Sequence, residues 1–435
     1  MIDFINKSFT LLFIFPVIII FGGYLSVKLK FVQIFGIKKA FSLLTTKDHK
    51  GSISSFSALS AILGGNLGTG NISGVAVALS MGGPGALFWM WVMAIFASIT
   101  KYVGCFLGVH YQRQNVAKEW VGGPMYYLQD GLKSKILAQL FCFFCITSAL
   151  TVGNLVQVHS LFVPLNTIDI HPLLFGIPLS LLVGAVIFGG MKRLAKVLSA
   201  VVPFMACVYL SACLIVLFIF RSELLPSLKL IFTSAFSMGS ASSGLAGFSV
   251  LQAIRVGFNR GLFATDSGLG LAPILHSAVR DTNPKIDNRH VQGLISILSP
   301  MIVMVVCSMT GLVLLSTKVY ENSSLPSTAL CMQAFIKAFG HPLSGHIITV
   351  TLFFFAFTTI LTWSFCADKA IDYLFGIKAI KPFQIFFILI IPIGAFVQDQ
   401  FIWTFADISI NFMFAINIIG IIGLSKMVIK ARQIK

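Results

Sequence analysis

The stretch GGNLGTGNISG, residues 64–74, sits inside an otherwise apolar run from Phe56 to Met81. The run is long enough to cross a bilayer as a helix, yet its middle is dense in glycine and carries two asparagines. Two readings account for this. Small residues let neighbouring helices approach closely. Alternatively the helix is broken, which at membrane depth is tolerated only where protein or a wet cavity satisfies the freed N–H and C=O groups. Two soluble readings fail: a phosphate-binding Walker loop needs Lys and Ser/Thr where Asn71 and Ile72 stand, and a dinucleotide fingerprint needs a strand before it.

The composition of the whole chain agrees with membrane depth. Of 435 residues 57% are apolar and only 10% charged, and the mean hydropathy is +0.93. That much apolar surface cannot be hidden in one soluble core. The expected fold class is an all-α polytopic membrane protein of about eleven spans, at 8–27, 55–80, 84–111, 137–163, 172–190, 195–220, 228–254, 292–316, 344–367, 382–398 and 402–425. The first reads as a retained helix, since no small-residue cleavage motif follows it.

A net charge of +17 does not here signal nucleic acid. Lys and Arg alternate between connections, 25 on one side against 5 on the other, with Lys101 inside a span. By the positive-inside rule the N-terminus is expected outside and the C-terminus in the cytoplasm. The tally stays regular only with eleven spans. Cys142 and Cys145 lie in an apolar helix with no His pair at ligand spacing and read as packing residues. No soluble domain is separable, so one transmembrane domain, 1–435, is expected.

Residues 238–247, MGSASSGLAG, repeat the small, polar character in the seventh span, five spans after the first such stretch. With the helix at 8–27 set aside, two halves of five follow, 55–220 and 228–425, and an odd number of spans per half inverts one relative to the other. Paired interrupted segments in matching positions point to the midplane site of a secondary transporter. A break exposes amides at the start of one half-helix and carbonyls at the end of the other. Amides around Thr69, Gly70 and Asn71 suit a carboxylate, and carbonyls near Gly64 and Leu67 suit a cation. Ser242 and Ser243 are the polar candidates of the second stretch. All fourteen acids read as loop or span-end residues, with Asp368 and Asp407 the most membrane-proximal, so a buried proton relay is not expected and Na⁺ is favoured over H⁺.

Further blocks follow in order: GGPGALFWMW (82–91), GGPMYYL (122–128), GNLVQ (153–157), IRVGFNRGLFATDSGLGLAPILHSA (254–278) and FTTILTWSFCADKAIDYLFG (357–376). Together they closely resemble the alanine/glycine:cation symporter family, the sodium:alanine symporters, over about residues 50–376. The resemblance implies a leucine-transporter-like five-plus-five inverted repeat with one extra N-terminal helix. It further implies uptake of alanine or glycine coupled to Na⁺, with no catalytic residue and no cofactor besides the coupling ion. By the same resemblance Thr69, Gly70, Asn71, Gln157 and Trp363 line the substrate pocket, and Gly64, Leu67, Phe355, Thr358 and Thr359 hold Na⁺. Interhelical bonding by Gln157, back-bonding by the two threonines and interfacial anchoring by Trp363 are the ordinary alternatives.

The chain departs from the family at Gly65-Asn66, Thr265-Asp266, Ser299-Pro300 and Val303-Met304. These departures leave open another small neutral amino acid, and altered or H⁺ coupling. A channel built on glycine-rich backbone and a membrane enzyme are the competing classes, the latter disfavoured because His110, His159, His276 and His346 lie on different spans. A bacterial inner-membrane location is expected. Oligomeric state is not readable.

Overall fold

The structure, a computed structural model, describes residues 9–44, 53–165, 171–236, 250–280, 287–321, 325, 327–397 and 399–433. Besides short helical segments such as Val32–Phe35, Pro124–Tyr126 and Tyr127–Gly131, the described chain is carried by its main helical elements. They are α1 (Thr10–Lys28), α2 (Ile37–Leu44), α3 (Ser55–Asn66), α4 (Ser73–Gly82), α5 (Gly85–His110), α6 (Lys135–Phe162), α7 (Pro172–Ile187) and α8 (Gly190–Ile219). There follow α9 (Leu224–Phe236), α10 (Val250–Thr265), α11 (Leu271–His276), α12 (Asn288–Ser316), α13 (Ser327–Phe339), α14 (Pro342–Phe375), α15 (Ile377–Ala395) and α16 (Asp399–Gln433). A two-residue hairpin, Arg113–Gln114 with Trp120–Val121, links α5 to α6.

Eight of the described helices are long and apolar enough to cross a membrane, and α4 and α7 are shorter apolar helices. Their ends follow local chemistry. The Ser54 hydroxyl accepts the Ser57 N–H at 3.1 Å and starts α3, as an N-cap serine does. Gly83 takes φ +69° after α4, and Pro84 precedes α5, so the GGP motif works as a tight corner between antiparallel helices.

The GGNLGTGNISG stretch is a helix break. α3 ends at Asn66, Thr69–Asn71 form a single tight turn, and α4 resumes at Ser73. The second expected break, at 238–247 with Ser242 and Ser243, lies outside the described residues. An interruption appears elsewhere: α10 ends at Thr265, and Asp266, Gly268 and Gly270 take φ of +48°, +87° and +99° before α11 begins. The chain from Arg255 to Asp266, expected in a loop, is therefore helix and break. It packs along α4 and α5. Hydropathy misplaced it because Arg255, Arg260 and Asp266 lower the window average, although inside the protein Arg260 is paired to Asp407 and lies over the Trp403 ring.

Glycine lets these helices meet. A Cβ on Gly257 of α10 would lie 2.6 Å from the Ala86 carbonyl oxygen and 2.7 Å from Trp89 Cβ, whereas one on Gly74 would meet nothing within 4 Å. Gly257→Ala should thus cost about 1–3 kcal/mol by overpacking, while Gly74→Ala is neutral or stabilising. Melting of the two purified variants in detergent checks this. Equal melting temperatures would mean that α10 and α5 are not in backbone contact.

Candidate functional site

The site starts from the carbonyls at the end of α3. Thr362 Oγ1 donates to the Ala61 carbonyl at 2.9 Å, and Thr359 Oγ1 donates to that of Gly64 at 3.0 Å. Both hydroxyls come from one face of α14, three residues apart. Their approach needs glycine opposite, since a Cβ on Gly65 would lie 2.8 Å from Thr362 Cγ2. Thr358, one residue from Thr359, points elsewhere: its hydroxyl bonds the Phe354 and Phe355 carbonyls of its own helix at 3.0 and 3.2 Å. Of the five residues expected to hold the cation, the structure joins Thr359 to Gly64. Thr358 and Phe355 bond each other within α14. Leu67 closes α3 through its N–H to the Leu63 carbonyl.

The break itself is tied by side chains. Asn71 Nδ2 donates to the carbonyls of Asn66 and Gly68 at 2.5 and 3.2 Å, and its Oδ1 accepts from Cys307 Sγ at 3.1 Å. Thr310 Oγ1 of α12 donates to the Asn71 carbonyl at 2.9 Å. On the amide side, the N–H and the hydroxyl of Thr69 both donate to Gln157 Oε1 at 3.0 Å.

Gln157 reaches there from α6, where Thr151–Leu155 form a π-helical turn; its Nε2 donates to the Val152 carbonyl of that turn at 3.0 Å. Such turns recur at functional positions inside helices. Trp363 is buried rather than interfacial and packs on the same turn: a Cβ on Gly153 would fall 2.3 Å from Trp363 Cβ. Thr69, Gly70, Asn71, Gln157, Thr359 and Trp363 are thus gathered around one buried point.

The two breaks meet. Asn66 Nδ2 donates to the Thr265 carbonyl at 2.8 Å and to Ser299 Oγ at 2.6 Å. Lys101 Nζ, from α5, donates to the same carbonyl at 2.8 Å and the same hydroxyl at 3.1 Å. The carbonyl end of α10 therefore carries a tethered ammonium, favourable at a helix C-terminus. Asp266 follows Thr265, whose carbonyl Lys101 holds, and is 3% exposed. Its Oδ2 and the Ser267 hydroxyl are buried without a protein hydrogen-bond partner among the described residues. Of the acids expected in loops or near span ends, Asp266 sits in the helix break itself, and Asp368 and Asp407, near the ends of their helices, are buried within the protein.

A lid covers the break from the α4 side. Phe263 lies against Gly70, whose Cβ would be 2.6 Å from its ring. Trp403 sits 5.2 Å beyond, with the Arg260 guanidinium 5.0 Å from the Trp403 ring and paired to Asp407 at 3.4 Å. Sequence reasoning missed Asn66, Lys101, Phe263 and Asp266. The signal available was Lys101 itself, a charge with no business in an apolar span unless paired.

Lys101 Nζ donates to the buried Thr265 carbonyl and Ser299 hydroxyl, and leaving such acceptors without their donor costs about 1–3 kcal/mol. Lys101→Met should therefore lower the melting temperature of the purified protein. An unchanged melting temperature would show that the ammonium does not tie α5 to the second break.

Comparison with known proteins accords with this geometry. The profile of the sodium:alanine symporter family matches residues 1–434. The chain is 36% identical to the sodium/alanine symporter AgcS of Methanococcus maripaludis, covering 94% of this chain and 90% of that protein. It is 30% identical to GlnT of Bacillus subtilis, described as a probable sodium/glutamine symporter, over 94% and 85% of the two chains. The fold is similar to that of a manganese transporter from Eremococcus coleocola, with a TM-score of 0.55 at 12% identity, covering 86% of this chain and 80% of that one. A transmembrane transporter rather than an enzyme, the chain belongs to the sodium:alanine symporter family.

Proposed function

We propose that the protein carries alanine or glycine inward with Na⁺ by alternating access. The observation that carries this reading is the meeting of two broken helices at a buried point closed by Phe263 on one side and by the α3–α14 contact on the other. In the proposed cycle the amides and hydroxyl around Thr69, Gly70 and Asn71, with Gln157, take the substrate's charged backbone groups. Na⁺ takes the Gly64 carbonyl and the Thr359 hydroxyl, hard oxygens of the kind that replace lost hydration.

Crowding favours a small side chain. A Cβ on Gly68 would lie 2.8 Å from Thr359 Oγ1, and Phe263 presses on Gly70. The proposal extends to eleven crossings, made of the eight long helices, α7 and the interrupted pairs α3/α4 and α10/α11. It includes two inverted halves and a bacterial inner-membrane location with the C-terminus inside. A second reading, coupling to H⁺, draws on the buried Asp266 beside Lys101. A third, a larger neutral amino acid, draws on the name of GlnT.

Uptake of labelled alanine into proteoliposomes, with and without an inward Na⁺ gradient, decides the main reading. One Na⁺ moving inward gains roughly 2.3 kcal/mol per 100 mV, which sustains about a fortyfold accumulation of a neutral zwitterion. Accumulation that follows a pH gradient and ignores Na⁺ selects the H⁺ reading; conduction without saturation selects a channel. Thr359→Val should raise the half-saturating Na⁺ concentration by about tenfold, equivalent to roughly 1.4 kcal/mol, and Thr358→Val should change it little, since that hydroxyl is already bonded within α14. Equal effects of the two valines would move the cation off the Gly64 carbonyl.

A further inference from the structure

Away from the breaks, the segment after α1 has no part in the site yet is elaborately shaped. Lys30 and Phe31 both take left-handed backbone, φ +51° and +47°, reversing the chain so that a single helical turn, Val32–Phe35, and α2 lie across one end of the bundle. Gly36 lets this segment seat on α12, where a Cβ would meet Leu294 at 2.8 Å. Phe35 and Phe41 are exposed beside exposed Lys38 and Lys39, the mixture found where a helix lies in the membrane interface.

Two cavities flank this segment. One, of about 620 Å³, is lined by Lys28, Lys30, Lys39, Arg432, His290 and Tyr102, and no carboxylate lines it among the described residues. Arg432 is held there by donating to the Leu29 carbonyl, and the Tyr102 hydroxyl bonds His290 Nδ1 at 2.7 Å. Asp287 stands behind His290, its carboxylate 3.8 Å from Nε2, and is also engaged by Arg289. The other cavity, of about 750 Å³, is an apolar groove lined by residues such as Ile34, Phe41, Trp91, Ile95 and Met301.

We propose that this end of the molecule binds one anionic glycerophospholipid, its phosphate among Lys28, Lys30, Lys39 and Arg432 and an acyl chain in the groove between α2, α5 and α12. Charge selects the ligand. Four basic side chains line the pocket, so a zwitterionic lipid would bring a further cation against them, whereas basic pockets between spanning helices suit anionic head groups. The site has a route to the transport machinery. Tyr102 follows Lys101 on α5, and Leu298 and Pro300 of the groove flank Ser299 on α12, so the lipid would brace the backs of the two helices whose inner faces hold the second break.

The test is binding, which does not depend on what the protein transports. Native mass spectrometry of the full chain in detergent, titrated with phosphatidylglycerol or with phosphatidylcholine of the same acyl chains, should show one phosphatidylglycerol held at least about tenfold more tightly. The variant K28Q/K30Q/K39Q should lose that preference. A control, K192Q/R193Q/K196Q, removes equal charge from another part of the chain, where Lys192 and Lys196 line a different hollow, and should keep it. Ile95→Trp, which fills the groove without touching the charges, should weaken the lipid and leave melting unchanged, so the proposal stays testable if the triple variant fails to fold. Equal binding of the two lipids, equal effects of the two triple variants, or no effect of Ile95→Trp would overturn it. Binding of glycerol 3-phosphate or inorganic phosphate as tightly as the lipid would instead make the pocket a soluble-anion site.

Discussion

Backbone at membrane depth cannot leave its polar groups bare, and almost everything else at the centre of this protein follows from that constraint. Breaking α3 from α4 frees carbonyls at Asn66 and Gly68 and N–H groups around Thr69. The chain answers with polar side chains drawn from α6, α12, α14 and the break itself: Gln157, Thr310, Thr359 and Asn71. Gln157, Thr310 and Thr359 are each a polar residue in an otherwise apolar helix. A break satisfied by four separate elements cannot shift against one of them without exchanging hydrogen bonds, which makes it a discrete joint rather than a soft one.

The glycines serve the same constraint indirectly. A hydroxyl can reach a helix carbonyl on a neighbouring helix only if the two backbones are close, and Gly64, Gly65 and Gly68 provide that closeness where Thr359 and Thr362 approach. Gly153 does the equivalent for Trp363, allowing the indole to lie on the π-helical turn that aims Gln157. The close-packing and broken-helix readings of a glycine-rich span are therefore not alternatives here. The first is how the second is made affordable.

The first break was legible because its glycines and asparagines interrupt a run that hydropathy alone makes continuous, and nothing else in a spanning helix looks like that. The second was not, for a physical reason. α10 carries Arg255 and Arg260, and its break carries Asp266, so the segment reads as a charged loop; only the fold supplies Asp407 and Trp403 for Arg260 and brings Lys101 onto the carbonyl at the end of α10. Helical phase hid the difference between Thr358 and Thr359 as well. Adjacent residues point about 100° apart on a helix, and which one faces α3 depends on how α14 is rotated, a property of packing rather than of the local sequence.

The two breaks end in carbonyl poles of the same sign but are served differently. The pole of α10 holds an ammonium on a covalent tether, Lys101. The pole of α3 meets hydroxyls and the Asn71 amide, which carry no net charge. On the proposed function this difference is what a cycle requires. A pole neutralised by a side chain keeps its cation through every conformation and can act as a fixed pivot. A pole left to neutral groups gains most from a mobile cation and can release it once the hydroxyls of α14 move away. Because Asn66 ends α3 and also donates to the Thr265 carbonyl beside Lys101, the pivot and the releasable site share one residue, and a rearrangement at either is felt at the other through a single side chain.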